Sequence, residues 1–438
     1  MAERSEGMPA ARPPGSRTAM GSGGAAPEQG TAVRGRSVVF TYGVLMASLG
    51  AGYGVLFTML DDYRDEYGIS ESALGVVIGI GFFAGFLAQV LLAPLADRGH
   101  ARRVVMVGIG LNVAGLVLLA MATALVPLLI GRFVMGVGIG MAFPAIRRVV
   151  ILADPGRLGH NLGRLFAAEV AGFALGPAVS AALVGPLGIA APFLVIAAAT
   201  VAVVPFVAGT KVAETAAPPT QRLAFDLLRI RPFAGAVALG CAVYLMIGAF
   251  DSLWAIVLDD LGTSQWVANL GITVFAVPLV VLGAAGGRLA QRIGPFRVGA
   301  AGLLGGAAFM SLYGVLPSGG AMLGVAVIHA LNDGLTVSST GVAVGLVIPA
   351  ERQAGAQGVL GGFETLTAGI TAIGAGALYE SSGRVAAFGA CAIAMVVLVV
   401  VGVALVGRAF GLRGAPEAVA APVMVDDAGR EQTAPVGS

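Results

Sequence analysis

Leu95-Ala96-Asp97-Arg98-Gly99-His100-Ala101-Arg102-Arg103 sets a carboxylate, three guanidiniums and an imidazole between two apolar runs that carry no charge. The arrangement returns later as Gly287-Arg288-Leu289-Ala290-Gln291-Arg292-Ile293-Gly294-Pro295-Phe296-Arg297, again between apolar runs. Asp97 and Gln291 take the same place, 194 residues apart in a chain of 438. Two copies spaced by nearly half the chain are the mark of a duplicated membrane protein.

Composition supports this. The chain is 57% hydrophobic and 11% charged, with a mean hydropathy of +0.90. Soluble domains carry roughly 25% charged residues. That shortfall excludes an ordinary soluble enzyme, and a net charge of +2 offers nothing to a nucleic-acid partner. Apolar runs long enough to cross a bilayer as helices number about twelve. They predict an all-α integral membrane protein of two pseudo-symmetric six-helix bundles, 37–208 and 232–411, joined by a polar linker at 209–231. Residues 1–36 and 412–438 read as disordered tails; the first lacks the short apolar core of a signal peptide. Cys241 and Cys391 lie inside apolar runs and read as packing residues, and no metal site is expected.

Basic residues set the orientation. With the N-terminus inside, every Lys and Arg falls on the cytoplasmic side except Arg64, Arg132 and Arg384. Arg147 and Arg148 are counted there with Arg157 and Arg164, although the fourth run extends over 128–152. Both termini are then cytoplasmic, in the inner membrane of a bacterium.

Three motifs resemble those of the major facilitator superfamily of 12-helix transporters, and the likeness covers roughly Ser37 to Arg408. In the loop between the second and third helices, Leu95, Ala96, Asp97, Arg98, Arg102 and Arg103 match Gly-x-Leu-Ala-Asp-Arg-x-Gly-Arg-Arg-Arg, with Ala93 and His100 in place of the glycines. Arg132, Gly136 and Gly140 match Arg-x-x-x-Gly-x-x-x-Gly in the fourth helix. Gly172, Gly176 and Pro177 resemble the antiporter motif of the fifth, although Ser180 and Ala181 replace its final glycines. The resemblance implies that Asp97, Arg98, Arg102 and Arg103 gate the cytoplasmic side against the eleventh helix. It implies that the glycines of the fifth helix pack closely, as a rocking motion against the opposite half would use, and that Arg132 is linked to proton coupling. Gln291 cannot ionise, so the second loop is expected to be structural.

Charges inside the spans are costly and mark function. Glu169 and Glu364 are 195 residues apart, the offset that also relates Arg157 to Arg352 and Gly163 to Gly358. They should occupy equivalent depths on the fifth and eleventh helices. The resemblance implies that these helices meet around one central cavity, where the pair would carry protons or attract a cation. The alternative is that each caps a backbone group or pairs with an arginine near the cytoplasmic end. His329 and Asp333 share a face of the tenth helix and could relay a proton or form a buried structural pair. Asp251 lies in the outer third of the seventh helix. Arg132, near the outer end of the fourth, could snorkel. Tyr53, Phe173, Trp254, His329, Asn332 and Phe363 are candidate walls of a substrate cavity.

The expected activity is proton-coupled efflux of a small amphipathic or cationic compound by a monomer, driven by the proton gradient with no cofactor. Proton-coupled import of a metabolite is the alternative on the same fold; a non-transporting receptor or a lipid-modifying enzyme is the alternative outside it. Among three His and two Cys there is no nucleophile–base arrangement to suggest catalysis.

Overall fold

No water reaches the hydrocarbon core of a bilayer, so a chain this apolar must satisfy its backbone amides within each crossing segment, which a helix does. A computed structural model describes residues 26–215, 219–414 and 423–424. The first half supplies α1 (Ala26–Thr58), α2 (Glu71–Leu91), α3 (Ala101–Met121), α4 (Leu125–Ala153), α5 (Leu158–Leu187) and α6 (Ala190–Gly209). The second supplies α7 (Arg231–Asp260), α8 (Gln265–Ile293), α9 (Pro295–Tyr313) and α10 (Gly319–Val347). A last helical stretch, Gln353–Val406, breaks at Gly383, whose φ of 80° no other residue type adopts easily. The break gives α11 (353–382) and α12 (384–406), and with it twelve spanning helices among the described residues.

Local chemistry sets the ends. Ser70 accepts from the amide of Ala73 at the start of α2, and Ser318 accepts from Ala321 at the start of α10. α2 closes in a 3-10 turn, Ala93–Arg98, ended by Gly99 at φ 75°. α1 begins at Ala26, inside the segment that reads as tail. The rest of both tails, apart from 412–414 and 423–424, lies outside the described residues.

Helices α1–α6 pack as one bundle and α7–α12 as the other, and the bundles meet chiefly along α5 with α8 and α2 with α11. These two seams are exchanged by the duplication. Small residues build both: Gly159 and Gly163 lie against Gly287 and Gly283, and Gly358 lies against Gln89. Burial falls along the seam helices. Residues 353–362 of α11 are all buried, yet Ala368 and Ala375 are the only buried residues of 365–382. α5 runs the same way, from packed first turns to half-exposed later ones. The halves are therefore closed on the side of the 210–230 linker and diverge on the far side. The linker is itself structured: Ala213–Glu214 pairs antiparallel with Val423–Met424, and 225–229 forms a 3-10 turn.

Candidate functional site

The linker side is held by Asp97. Its carboxylate, 2% exposed, accepts from the first free amides of α11, Ala354 at 2.9 Å and Gly355 at 2.7 Å. A helix N-terminus leaves amides unpaired and carries partial positive charge, so a carboxylate is the fitting cap. The guanidinium beside Asp97 is Arg148, at 3.0 Å. Arg98, Arg102 and Arg103 do not fill that role; Arg102 donates to the Ala208 carbonyl. Arg148 also meets Glu214 of the linker at 2.9 Å. Burial pushes the Glu214 carboxyl above the ordinary range, against the pull of Arg148. Arg147 and Arg148 are thus not loop charges but members of α4, and Arg148 is fully buried. The apolar residues Val149–Leu152 carry the helix past them.

Gln291 holds the equivalent seam. Its Oε1 accepts from the Gly159 amide at 2.8 Å and its Nε2 donates to the Gly156 carbonyl at 3.1 Å. Gly159 and Ala354 are 195 residues apart, so the two caps are duplicates.

Arg147 occupies the space between the bundles. Its Nη2 lies 3.7 Å from Glu169 Oε2, and both side chains are mostly buried. Glu364 and the Tyr244 hydroxyl lie within electrostatic reach of the same guanidinium. Glu364, 3% exposed, accepts from Thr340 at 3.3 Å. One carboxylate, Glu169, therefore pairs with the arginine, and the other, Glu364, acts on it across the cavity they share. Tyr244, Thr340, Arg147 and Glu364 line a cavity of about 40 Å³. That admits water but is far below the roughly 300 Å³ of a small-molecule pocket. Across the α2–α11 seam, Gln89 donates to Thr365, the residue after Glu364, at 3.1 Å. The sequence reading missed both Arg147 and Gln89. The signal for each was a polar side chain with apolar sequence on both sides.

On the far side Arg132 does not snorkel. It is fully buried, with its guanidinium carbon 4.4 Å from the Tyr53 ring centroid and 5.9 Å from that of Phe82. Gly81 leaves it room, since a Cβ there would strike the guanidinium. Tyr53, Phe57, Phe82 and Phe173 form one aromatic group. Asp251 of the other half is exposed and acts electrostatically on Tyr53. Phe363 meets Phe86 edge-on between the halves at 6.5 Å.

Other candidates lie elsewhere. His329 and Asp333 do pair, at 3.4 Å, but inside the second bundle. The His329 ring sits among Phe250, Phe275, Phe309 and Tyr313, and its Nδ1 is 3.1 Å from the Tyr313 hydroxyl. Asn332 donates to the Gly302 carbonyl of α9 and to Asp333. Trp254 is buried and stacked on Phe250. His329, Asn332 and Trp254 therefore belong to bundle packing, not to the face between the halves. Gly172 and Gly176 press α5 against the backbone of Ala47, Gly54 and Val55 in α1, within their own half. The seam between halves uses Gly159 and Gly163 instead.

A family model described as Major Facilitator Superfamily matches residues 42–253 and 236–423. An uncharacterised MFS-type transporter of Salmonella typhimurium is 26% identical over 342 residues, 74% of this chain and 85% of the relative. The uncharacterised MFS-type transporter YhhS of Escherichia coli is 31% identical over 125 residues, 28% of this chain and 30% of the relative. Among solved structures, the human organic anion transporter MFSD10 superposes with a TM-score of 0.71 at 15% identity, covering 84% of this chain and 99% of that one. The Escherichia coli fucose:proton symporter superposes with a TM-score of 0.68 at 16% identity, over 86% and 99%.

Proposed function

The chain belongs to the Major Facilitator Superfamily of transporters, and we propose that it exports a small amphipathic or cationic compound in exchange for protons. The observation that carries this reading is Arg147 paired with Glu169 of one half, with Glu364 of the other half lining the same cavity within electrostatic reach. In a low-dielectric interior a carboxylate stays ionised only with a cation beside it. Arg147 fills that role here, and a cationic substrate or a proton would compete for the same oxygens. Either change alters the charge balance between the halves, which biases a two-state equilibrium. The Asp97 cap defines one of the two states, closed on the linker side.

The excess of basic residues on the linker side supports a cytoplasmic linker with both termini inside, and the reading takes the chain as a monomer in the inner membrane of a bacterium. Export then follows a simple order. Protons reach the acid pair from outside while the linker side is shut; substrate reaches it from inside after the Asp97 cap opens. Arg132 and Asp251, on the far side, are proposed to tune the proton's approach. Tyr53, Phe173 and Phe363 are proposed walls for the substrate once the cavity widens.

The test is dissipation of a pH gradient in everted vesicles on addition of cationic compounds. Glu169→Gln and Glu364→Gln should each abolish proton release, and Arg147→Gln should lower it by about 10²-fold or more. Release that survives both glutamine variants overturns the acid pair. Proton and compound moving in the same direction would indicate an importer instead.

A further inference from the structure

Where α5 meets α8 on the linker side, an open cavity of about 450 Å³ is lined by Asp154, Arg157, His160, Asn161 and Arg164. α8 adds another arginine, with Arg288 Nη1 3.0 Å from His160 Nδ1. Arg157, Arg164 and Arg288 all act on that imidazole. The carboxylate that answers them is Asp154, 3.8 Å from Arg157. Among the described residues no carboxylate lies within ion-pair distance of Arg164 or Arg288.

Asn161 is the second observation. It is 3% exposed, and its Nδ2 has no hydrogen-bond partner among the described residues. A buried donor without a partner is destabilising, and the neighbouring wall offers cations. An acceptor from outside the described residues would satisfy it after a small side-chain shift, and an anionic acceptor would also answer the arginines. Neither the Asp97 and Gln291 caps nor the Glu169–Arg147–Glu364 group uses these side chains.

We propose that this cavity binds a phosphate oxyanion, supplied either as free phosphate or as the headgroup of an anionic phospholipid. Arg157, Arg164 and Arg288 would grip its oxygens, with Asn161 Nδ2 donating. Guanidinium forks match phosphate geometry, and basic pockets between spanning helices suit phosphate headgroups. Arg288 comes from one half and the remaining groups from the other. A bound anion therefore ties α5 to α8 and favours the state closed on the linker side.

The experiment uses the purified full-length chain in phosphatidylcholine nanodiscs. Labelled inorganic phosphate is titrated at constant ionic strength, and thermal unfolding is compared between phosphatidylcholine and phosphatidylglycerol discs. Phosphate binding or phosphatidylglycerol should raise the unfolding temperature. The double variant Arg164→Gln, Arg288→Gln should weaken the effect roughly tenfold or more, while Arg229→Gln on the linker should not. An effect with phosphate in phosphatidylcholine identifies the free ion; an effect with phosphatidylglycerol alone identifies the lipid. Absence of both effects, or their survival in the double variant, overturns the proposal. Should the double variant not fold, Arg164→Gln alone gives the same reading, because it leaves the Arg288–His160 contact in place.

Discussion

Two seams hold the halves together on the linker side, and the duplication built both to one plan with different chemistry. At the α2–α11 seam the cap is ionised: Asp97 takes two amides of α11 and the buried Arg148. At the α5–α8 seam the cap is neutral: Gln291 accepts from Gly159 and donates to Gly156. The backbone demand is the same, an unpaired amide at a helix start. The first seam adds a charge network that reaches the linker through Glu214; the second does not. Opening the first cap must separate a buried ion pair, whereas opening the second breaks only neutral hydrogen bonds.

The largest test of that contrast is Asp97→Ala. It leaves Arg148 with Glu214 alone and strands two amides, and breaking a buried pair costs about 3–5 kcal/mol. A cysteine placed at Ala93, buried at the α2–α11 seam, should become far more reactive to a water-soluble thiol reagent in that background. Unchanged labelling would remove Asp97 from the gate. Next is Gly176→Ala, whose new Cβ would meet the backbone of Gly54 and Val55. Overpacking of that kind costs about 1–3 kcal/mol. Because the contact lies within one bundle, it should lower the unfolding temperature without changing labelling at the seam. Gln291→Ala should cost about 1 kcal/mol for each hydrogen bond lost, measured by unfolding temperature, and its effect should be independent of pH. An effect as large as that of Asp97→Ala would erase the distinction between the seams.

The smallest effect concerns the linker. Arg352 donates to both oxygens of Asp226, one of them at 2.7 Å. That hydrogen bonding holds the Asp226 carboxyl below the ordinary carboxylate range. A depressed carboxyl stabilises the fold above its unfolded value and loses that contribution as pH falls through the folded one. Protection of linker amides against hydrogen exchange should accordingly decline below about pH 4. In Asp226→Asn this step should be absent. The pair is partly exposed, so the change will be slight.

Much of this was legible from the chain alone. Asp97, Gln291, Glu169 and Glu364 stood out because charge or polarity inside apolar sequence has no cheap explanation, and because the repeat offset paired them. Asp97 duly caps α11, and Glu169 pairs with a guanidinium on which Glu364 acts across the cavity they share. The reading failed where two placements share one pattern. Arg147 and Arg148 resemble the basic end of a span, and Gly172 and Gly176 fit a seam between halves as well as packing within one. His329 and Asn332 were placed on the correct helix, but helix periodicity does not say which neighbour a face meets.

The sequence by itself determined a duplicated twelve-helix membrane protein and the family to which it belongs. Hydrophobic length and backbone satisfaction leave few other options for so apolar a chain, and the motifs are short and local. Tertiary structure alone decided which arginine answers which carboxylate. Arg148 rather than its loop neighbours meets Asp97, and Arg147 stands beside Glu169, with Glu364 in electrostatic reach. Those pairings span distant parts of the chain and depend on how α4 sits between the bundles. A buried charge is satisfied by whatever folds against it, and that neighbour is set by packing, not by nearness in sequence.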